Sequence, residues 1–135
     1  MRIEAVAQQF TLTKDTLRYW ERIGLLPAIQ RDEHGYRNYT PHDLNWVFYI
    51  QSLRKAGMTI EKLIEFVQLY RQGSTTVQVR KQLLEDQRTE LIQQVATLQK
   101  TINYLTYKVD HFADHTLTYE QEKLAYDHFD SRGDS

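Results

Sequence analysis

The sequence predicts a mainly α-helical chain: a small head of four helices and one hairpin, then a single long helix shaped to pair with another. Three observations carry this. Only five Gly and two Pro occur in 135 residues, and they mark the borders of stretches whose apolar residues fall at helical spacing. Leu84, Leu91, Leu98, Leu105 and Phe112 recur at every seventh position, the period of a helix seam that needs a partner. The composition, 41% hydrophobic and 26% charged, is that of an ordinary globular chain with one core and room for an extended appendage.

Each element has its own justification. Ile3, Val6, Ala7 and Phe10 share one side of a short amphipathic helix over 3–9. Thr13 precedes a second helical run, Lys14 to Ile23, with Leu17, Trp20 and Ile23 on one side. Gly24 then sits where a helix C-terminus favours a left-handed residue, and Leu25-Leu26-Pro27 leads the chain away. Two short helices joined by about three residues form a helix-turn-helix arrangement. Between Ile29 and Tyr39, Asp32-Glu33-His34-Gly35 reads as the turn of a small hairpin whose second arm is Tyr36-Arg37-Asn38-Tyr39. Thr40-Pro41-His42-Asp43 is a helix start: Thr40 caps, Pro41 suits the first helical position, and Asp43 completes a capping box. That helix runs to Ala56 and stops at Gly57. Thr59 caps a fourth helix through Tyr70, closed near Gly73.

From Thr75 to Phe112 there is no Gly or Pro, so 38 residues can form one helix roughly 57 Å long. Its heptad positions alternate with Lys81, Arg88, Val95, Ile102 and Val109, a 3-4 repeat that is apolar throughout its second half. A seam two residues wide cannot bury itself, and the simplest partner is a second copy. Lys81 and Arg88 would weaken a continuous zipper, so the dimer contact is expected in 91–112, with 76–90 packing against or flanking the opposite head. Tyr119 to Phe129 is expected to form one more amphipathic helix with Leu124 and Phe129 inward, and Ser131 to Ser135 to fray. The resulting division is a head at 1–73, a dimerisation helix at 74–112 and an acidic tail at 113–135.

Composition excludes several classes of function. With no cysteine, disulfides, thiolate metal sites and thiol catalysis are absent. No apolar run approaches the roughly 20 residues that span a bilayer, and Met1-Arg2-Ile3-Glu4 has no signal pattern, so no membrane partner and a cytoplasmic location are expected. There is no paired acid/base constellation, which argues against an enzyme. The formal net charge of −1 hides an asymmetry. Residues 1–58 carry eight Lys/Arg against six Asp/Glu, whereas 110–135 carry two against seven. Only the front is suited to a polyanion.

A helix-turn-helix plus hairpin is a winged-helix plan, with one helix in the DNA major groove and the hairpin gripping the backbone nearby. The second helix carries Lys14, Thr16, Arg18, Tyr19 and Arg22 near its exposed side. Lys14 lies in the first turn, where recognition helices touch base edges. Arg18 and Tyr19, one turn on, can reach phosphate oxygens, and Arg37 and Tyr39 repeat that chemistry on the wing.

The stretch Thr16-Leu17-Arg18-Tyr19-Trp20-Glu21-Arg22-Ile23-Gly24-Leu25-Leu26-Pro27, followed by Gly35-Tyr36-Arg37-Asn38-Tyr39, resembles the MerR family signature. Asp43-Leu44 and Leu53-Arg54-Lys55-Ala56-Gly57-Met58-Thr59-Ile60 extend the likeness, which covers residues 2–112 once the heptad helix is included. Within 46–112 the chain looks most like the small regulators of the aldehyde and electrophile stress branch. The resemblance implies a homodimer joined by an antiparallel coiled coil, with two winged heads on a pseudo-palindromic promoter. Such regulators bend and untwist double-stranded promoter DNA so that RNA polymerase can read over-spaced elements, an indirect readout of deformable DNA. Carried over position by position, Arg18, Tyr19, Arg37 and Tyr39 would hold phosphates, and the variable base-reading places fall near Lys14 and Asp15. The seam Leu84, Leu91, Val95, Leu98, Ile102, Leu105, Val109 and Phe112 would dimerise.

The chain departs from the family pattern in instructive places. Thr11 stands at a turn position that often holds Gly, where a left-handed backbone would strain a branched Cβ. The aldehyde-responsive branch carries a Cys where this chain has Ser52, so electrophile capture by a thiolate there is excluded. Metal-responsive relatives bind through cysteines past the coiled coil. His111 and His115, at i,i+4, with Asp110, Asp114 and His128 form a group on paper, but in a polar tail of the kind that is usually solvated, so no metal or cofactor is expected. Drug-sensing relatives add a large ligand domain, which the 23 residues after Phe112 cannot form. Trp46, Phe48, Tyr49, Phe66, Tyr70, Tyr104 and Tyr107 could line a small pocket between the helices and the coiled coil, with ordinary core packing the favoured expectation. The sequence names no effector. The rival reading is an interaction protein of the same fold that has lost DNA binding and pairs with another regulator.

Overall fold

The computed structural model describes residues 1–125. Helices α1 (Ile3–Phe10), α2 (Lys14–Arg22), α3 (Pro41–Lys55) and α4 (Ile60–Arg71) are followed by a 3-10 turn at Ser74–Thr76 and a long helix, α5 (Val77–Asp110). Past α5, π-helical turns at Phe112–Thr116 and Glu120–Leu124 flank one short α-turn, α6 (Leu117–Tyr119). The expected helix from Tyr119 stops at Leu124, because Ala125 is extended, and Leu124, expected inward, is exposed. Phe129 and the segment Ser131 to Ser135 lie outside the described residues. The chain divides into two compact units, Met1–Leu91 and the residues from Ile92 onward. No described helix is long and apolar enough to cross a membrane.

The helix borders are set by the residues expected to set them. Thr13, Thr40 and Thr59 each accept the amide three residues on, from Thr16 at 3.0 Å, Asp43 at 3.2 Å and Lys62 at 3.2 Å. At α3 the box is complete, because the Asp43 carboxylate accepts the Thr40 amide at 2.9 Å. These bonds satisfy N-terminal amides that no helix can satisfy internally. The turn between α1 and α2 passes through Thr11 at φ 54°, ψ 48°, so a β-branched residue occupies the left-handed region that its Cβ disfavours.

The core of the first unit gathers one side of every helix in it. Val6 from α1, Leu17 and Trp20 from α2, Val47 and Ile50 from α3, and Leu63, Phe66 and Val67 from α4 are all buried. Leu25, Leu26 and Met58 fill the layer between them. Burial of such side chains supplies roughly 1.5–3 kcal/mol each, which lets short helices of marginal intrinsic stability persist. The start of α5 joins this packing. Leu83 lies against the core cluster, and Gln87, 6% exposed, donates to the Ala56 carbonyl at 2.9 Å. Within 76–90, Thr76, Leu83 and Gln87 thus turn toward the chain's own first unit, while Lys81, Leu84 and Arg88 are exposed.

The wing differs from the hairpin expected. Among the described residues it holds one antiparallel bridge, Arg31 to Arg37, and no extended strands. Backbone bonds still join the arms on either side of the bridge, from the Asp32 amide to the Tyr36 carbonyl and from the Asn38 amide to the Gln30 carbonyl, each at 2.8 Å. Asp32 shapes the tip, since its Oδ1 accepts the amides of His34 at 2.9 Å and Tyr36 at 3.0 Å. Further along, the Tyr39 amide bonds the Met1 carbonyl at 2.8 Å, so the second arm is tied to the start of the chain.

Candidate nucleic-acid interface

Helix α2 buries Leu17 and Trp20 and turns its remaining side chains outward. At its first turn the Lys14 ammonium lies 3.6 Å from Glu4. Asp15 is 93% exposed and accepts from Arg18 Nη1 at 3.1 Å. Thr16 has a different place: its amide and hydroxyl both engage Thr13, the latter at 2.8 Å, so it belongs to the cap. Arg18, Tyr19 and Arg22 are exposed on successive turns, with the Arg22 guanidinium 5.1 Å from the Tyr19 ring centroid, within cation–π range.

Arg37 and Tyr39, expected to act alike on the wing, part company. Arg37 donates through Nε to Glu21 Oε1 at 2.7 Å, and the two side chains are about one-fifth exposed. Its guanidinium borders an open recess of about 560 Å³ that Arg18, Arg22, Arg71 and Gly24 also line. Tyr39 is 2% exposed, and its hydroxyl is buried without a hydrogen-bond partner among the described residues. Burial pushes that phenol above its ordinary range, against a smaller opposing pull from Arg37. Tyr39 is thus a core residue beneath the wing, a correction to its expected place on the wing surface.

Several charged groups on this face were missed in the sequence. Arg2 stacks over the exposed Tyr36 ring at 4.2 Å and lies 3.8 Å from Asp32. Arg31 donates to the Gly35 carbonyl at 2.7 Å, which fixes the wing tip. Arg71, at the end of α4, donates to the Gly24 carbonyl at 2.9 Å, so an arginine 47 positions away caps the corner after α2. Glu21, quoted only as part of a motif, holds both arms of the wing. Only the signature stretch hinted at it, since 18, 21 and 22 share one helix face.

Other candidates take plain positions. Ser52 is exposed and its hydroxyl donates back to the Phe48 carbonyl at 2.8 Å. Of the aromatic residues expected to pack, Phe66 is core, whereas Phe48, Tyr49, Tyr70, Tyr104 and Tyr107 are exposed. Trp46 is half-buried and meets Tyr49 and Tyr70 edge-on at 6.0 and 5.1 Å. Together with Phe48 and His42 these rings border an open recess of about 340 Å³. In the second unit His111, Asp114 and His115 bring their nitrogen and oxygen atoms within 4.8 Å of one another. The hydrogen bond from His111 holds the Asp114 carboxyl below its ordinary range. Asp110 is not in this group, and His128 lies outside the described residues.

The seam of α5 stands open. Leu84 and Leu91 in the first unit, and Val95, Leu98, Ile102, Leu105 and Val109 with the following Phe112 in the second, are between 37 and 72% exposed. An exposed apolar row of this length marks an interaction surface.

Comparison with known proteins gives this geometry its context. The family model described as MerR HTH family regulatory protein matches residues 1–69, and the model MerR, DNA binding matches 45–107. The HTH-type transcriptional regulator AdhR of Bacillus subtilis (strain 168) is 46% identical over 93 residues, which span 69% of this chain and 66% of that regulator. A MerR family transcriptional regulator from Listeria monocytogenes superposes with a TM-score of 0.73 at 35% identity, covering 90% of this chain and 92% of that one. HiNmlR, described as a MerR family regulator lacking the sensor domain, bound to promoter DNA, superposes with a TM-score of 0.69 at 29% identity over 86% of this chain and 92% of its own. The chain belongs to the MerR family of DNA-binding transcription regulators, a family of regulators and not of enzymes.

Proposed function

We propose that the chain acts in the cytoplasm as a homodimer on a pseudo-palindromic promoter, with residues 1–73 as the DNA-binding head, 74–112 as the dimerisation helix and 113–135 as an acidic tail. Lys14 and Asp15 enter the major groove at the N-terminus of α2. Arg18, Tyr19 and Arg22 hold the backbone beside it, and Arg37 holds backbone from the wing. Tyr39 supports the wing from below. The α5 seams pair antiparallel, so that two heads meet two half-sites on one face of the duplex. The dimer activates by bending and untwisting the promoter, with RNA polymerase as its second partner. The deformation costs a few kcal/mol and is offset by contacts that only the bent duplex permits.

The observation that carries this reading is the open seam. The head satisfies its own core, yet the apolar row on α5 is left in water, and covering large side chains of this kind is worth roughly 1.5–3 kcal/mol each. A second copy brings an identical row and a second basic head with it. The test is fluorescence anisotropy on the chain's own upstream region against scrambled duplex over a salt series. Tight binding to an inverted repeat with two chains per duplex and a steep salt slope is expected. Affinity no better than for scrambled DNA would overturn it in favour of an interaction protein of the same fold.

A further inference from the structure

We infer that Glu21 is the positioning residue of the wing: its carboxylate clamps both arms of the loop to α2 and thereby aims Arg37 at the DNA backbone. The inference rests on the proposed role of Arg37 as a phosphate contact. Oε1 accepts Arg37 Nε at 2.7 Å, and Oε2 accepts the Ile29 amide at 3.1 Å. Ile29 enters the wing and Arg37 leaves it, so one side chain fixes the two ends of the loop with separate oxygens. Both partners of the ion pair are largely shielded, which strengthens a charge-assisted bond and limits exchange with water. Met1 ties the second arm to the start of the chain through Asn38 and Tyr39, and backbone bonds join the two arms to each other. Glu21 differs from these in joining both arms to the helix that carries Arg18 and Arg22. A carboxylate beside the DNA surface would by simple electrostatics weaken binding. Its geometry requires the opposite, because a guanidinium held at Nε presents its two Nη groups in a fixed direction.

Glu21→Gln separates the two effects. A Gln side chain still accepts the Ile29 amide through its one oxygen, but its amide nitrogen cannot accept from Arg37. The experiment measures specific and scrambled duplex affinity for the wild type, Glu21→Gln, Arg37→Ala and the double variant, with active protein counted by stoichiometric titration. Glu21→Gln is expected to weaken specific binding about tenfold, although it removes a negative charge. Arg37→Ala should weaken it similarly and flatten the salt dependence, and the double variant should be no worse than Arg37→Ala alone. Arg37→Lys keeps the charge but replaces the fork with a single ammonium, which cannot hold Glu21 and present separate donors as the guanidinium does, and should weaken binding about as much as Glu21→Gln. If Arg37→Ala weakens binding while Glu21→Gln leaves it unchanged or tightens it, or if the two losses add, Glu21 does not position the wing. If Arg37→Ala has no effect, the phosphate role of the wing itself falls, and the inference with it.

Discussion

Tyr39→Phe should stabilise the protein and leave DNA affinity unchanged. The ring of Tyr39 is 2% exposed and its hydroxyl has no hydrogen-bond partner among the described residues. A buried hydroxyl without a partner costs about 1–3 kcal/mol, and Phe keeps the same ring in the same space, so a gain of about 1 kcal/mol is expected. Urea denaturation at fixed protein concentration measures it, since the apparent stability of a self-associating chain shifts with concentration. The buried Trp20 indole serves as the fluorescent reporter. The pH dependence gives a second reading. Burial raises the phenol's pKa in the folded state, so the stability gained by keeping it protonated is fully present below the unfolded value of about 10. That contribution is lost as pH rises through the folded pKa, and Tyr39→Phe should blunt this alkaline loss. A hydroxyl that instead reaches phosphate would show itself plainly: the variant would bind its operator about tenfold more weakly, or lose stability, and the core assignment would be refuted.

Thr11→Gly should stabilise by about 0.5–1 kcal/mol, since a left-handed non-glycine residue costs about 1–2 kcal/mol and the added chain entropy of Gly returns part of that; a destabilised variant in the same urea assay would mean the turn relaxes at no cost. Leu98→Asp should give a monomer in sedimentation velocity, because it places a charge in the middle of the seam; a monodisperse dimer would remove 91–112 as the contact. Asp15→Asn should tighten binding to specific and scrambled duplex by a similar few-fold factor at low salt, and a change in preferred bases without a change in overall affinity would instead make Asp15 a reader of sequence.

What was legible in the sequence was whatever a local rule governs. Thr13, Thr40 and Thr59 cap because an oxygen three residues before an orphan amide is favoured wherever a helix starts. Thr11 stands at a turn position that often holds Gly, and the structure has it in the left-handed region at φ 54°. The heptads of α5 were equally plain, because a seven-residue period has few other physical causes. Where tertiary contacts decide, the sequence was silent or misleading. Tyr39 reads as a wing contact because its hydroxyl repeats the phosphate chemistry of Arg37 within the signature stretch, but the fold buries its ring to 2% exposure. Phe48 and Tyr70 looked like core because they are aromatic at helical spacing; α3 and α4 bury Ile50 and Phe66 instead. Glu21 and Arg71 were hidden because their partners lie 8 to 47 positions away.

The weak charge of the head also acquires a physical explanation. Residues 1–58 carry a net charge of only +2, low for a surface that meets DNA. The structure shows where the acids go: Glu4 faces Lys14, Asp15 faces Arg18, Asp32 faces Arg2 and Glu21 faces Arg37. Two of these arrangements differ in kind. The Lys14 and Arg18 pairs are exposed, and such pairs contribute about 0–1 kcal/mol each, so a phosphate can displace the carboxylate at little cost. The Glu21 pair is shielded and its carboxylate has a second bond to the Ile29 backbone, so displacing it would strand a charge that water reaches poorly. Glu4 on α1 and Asp15 on α2 therefore behave as exchangeable counterions that restrain non-specific binding, while Glu21 behaves as part of the scaffold. A head built this way relies on placement of a few cations more than on total charge, which suits a regulator that must find one promoter among many sites carrying the same phosphates.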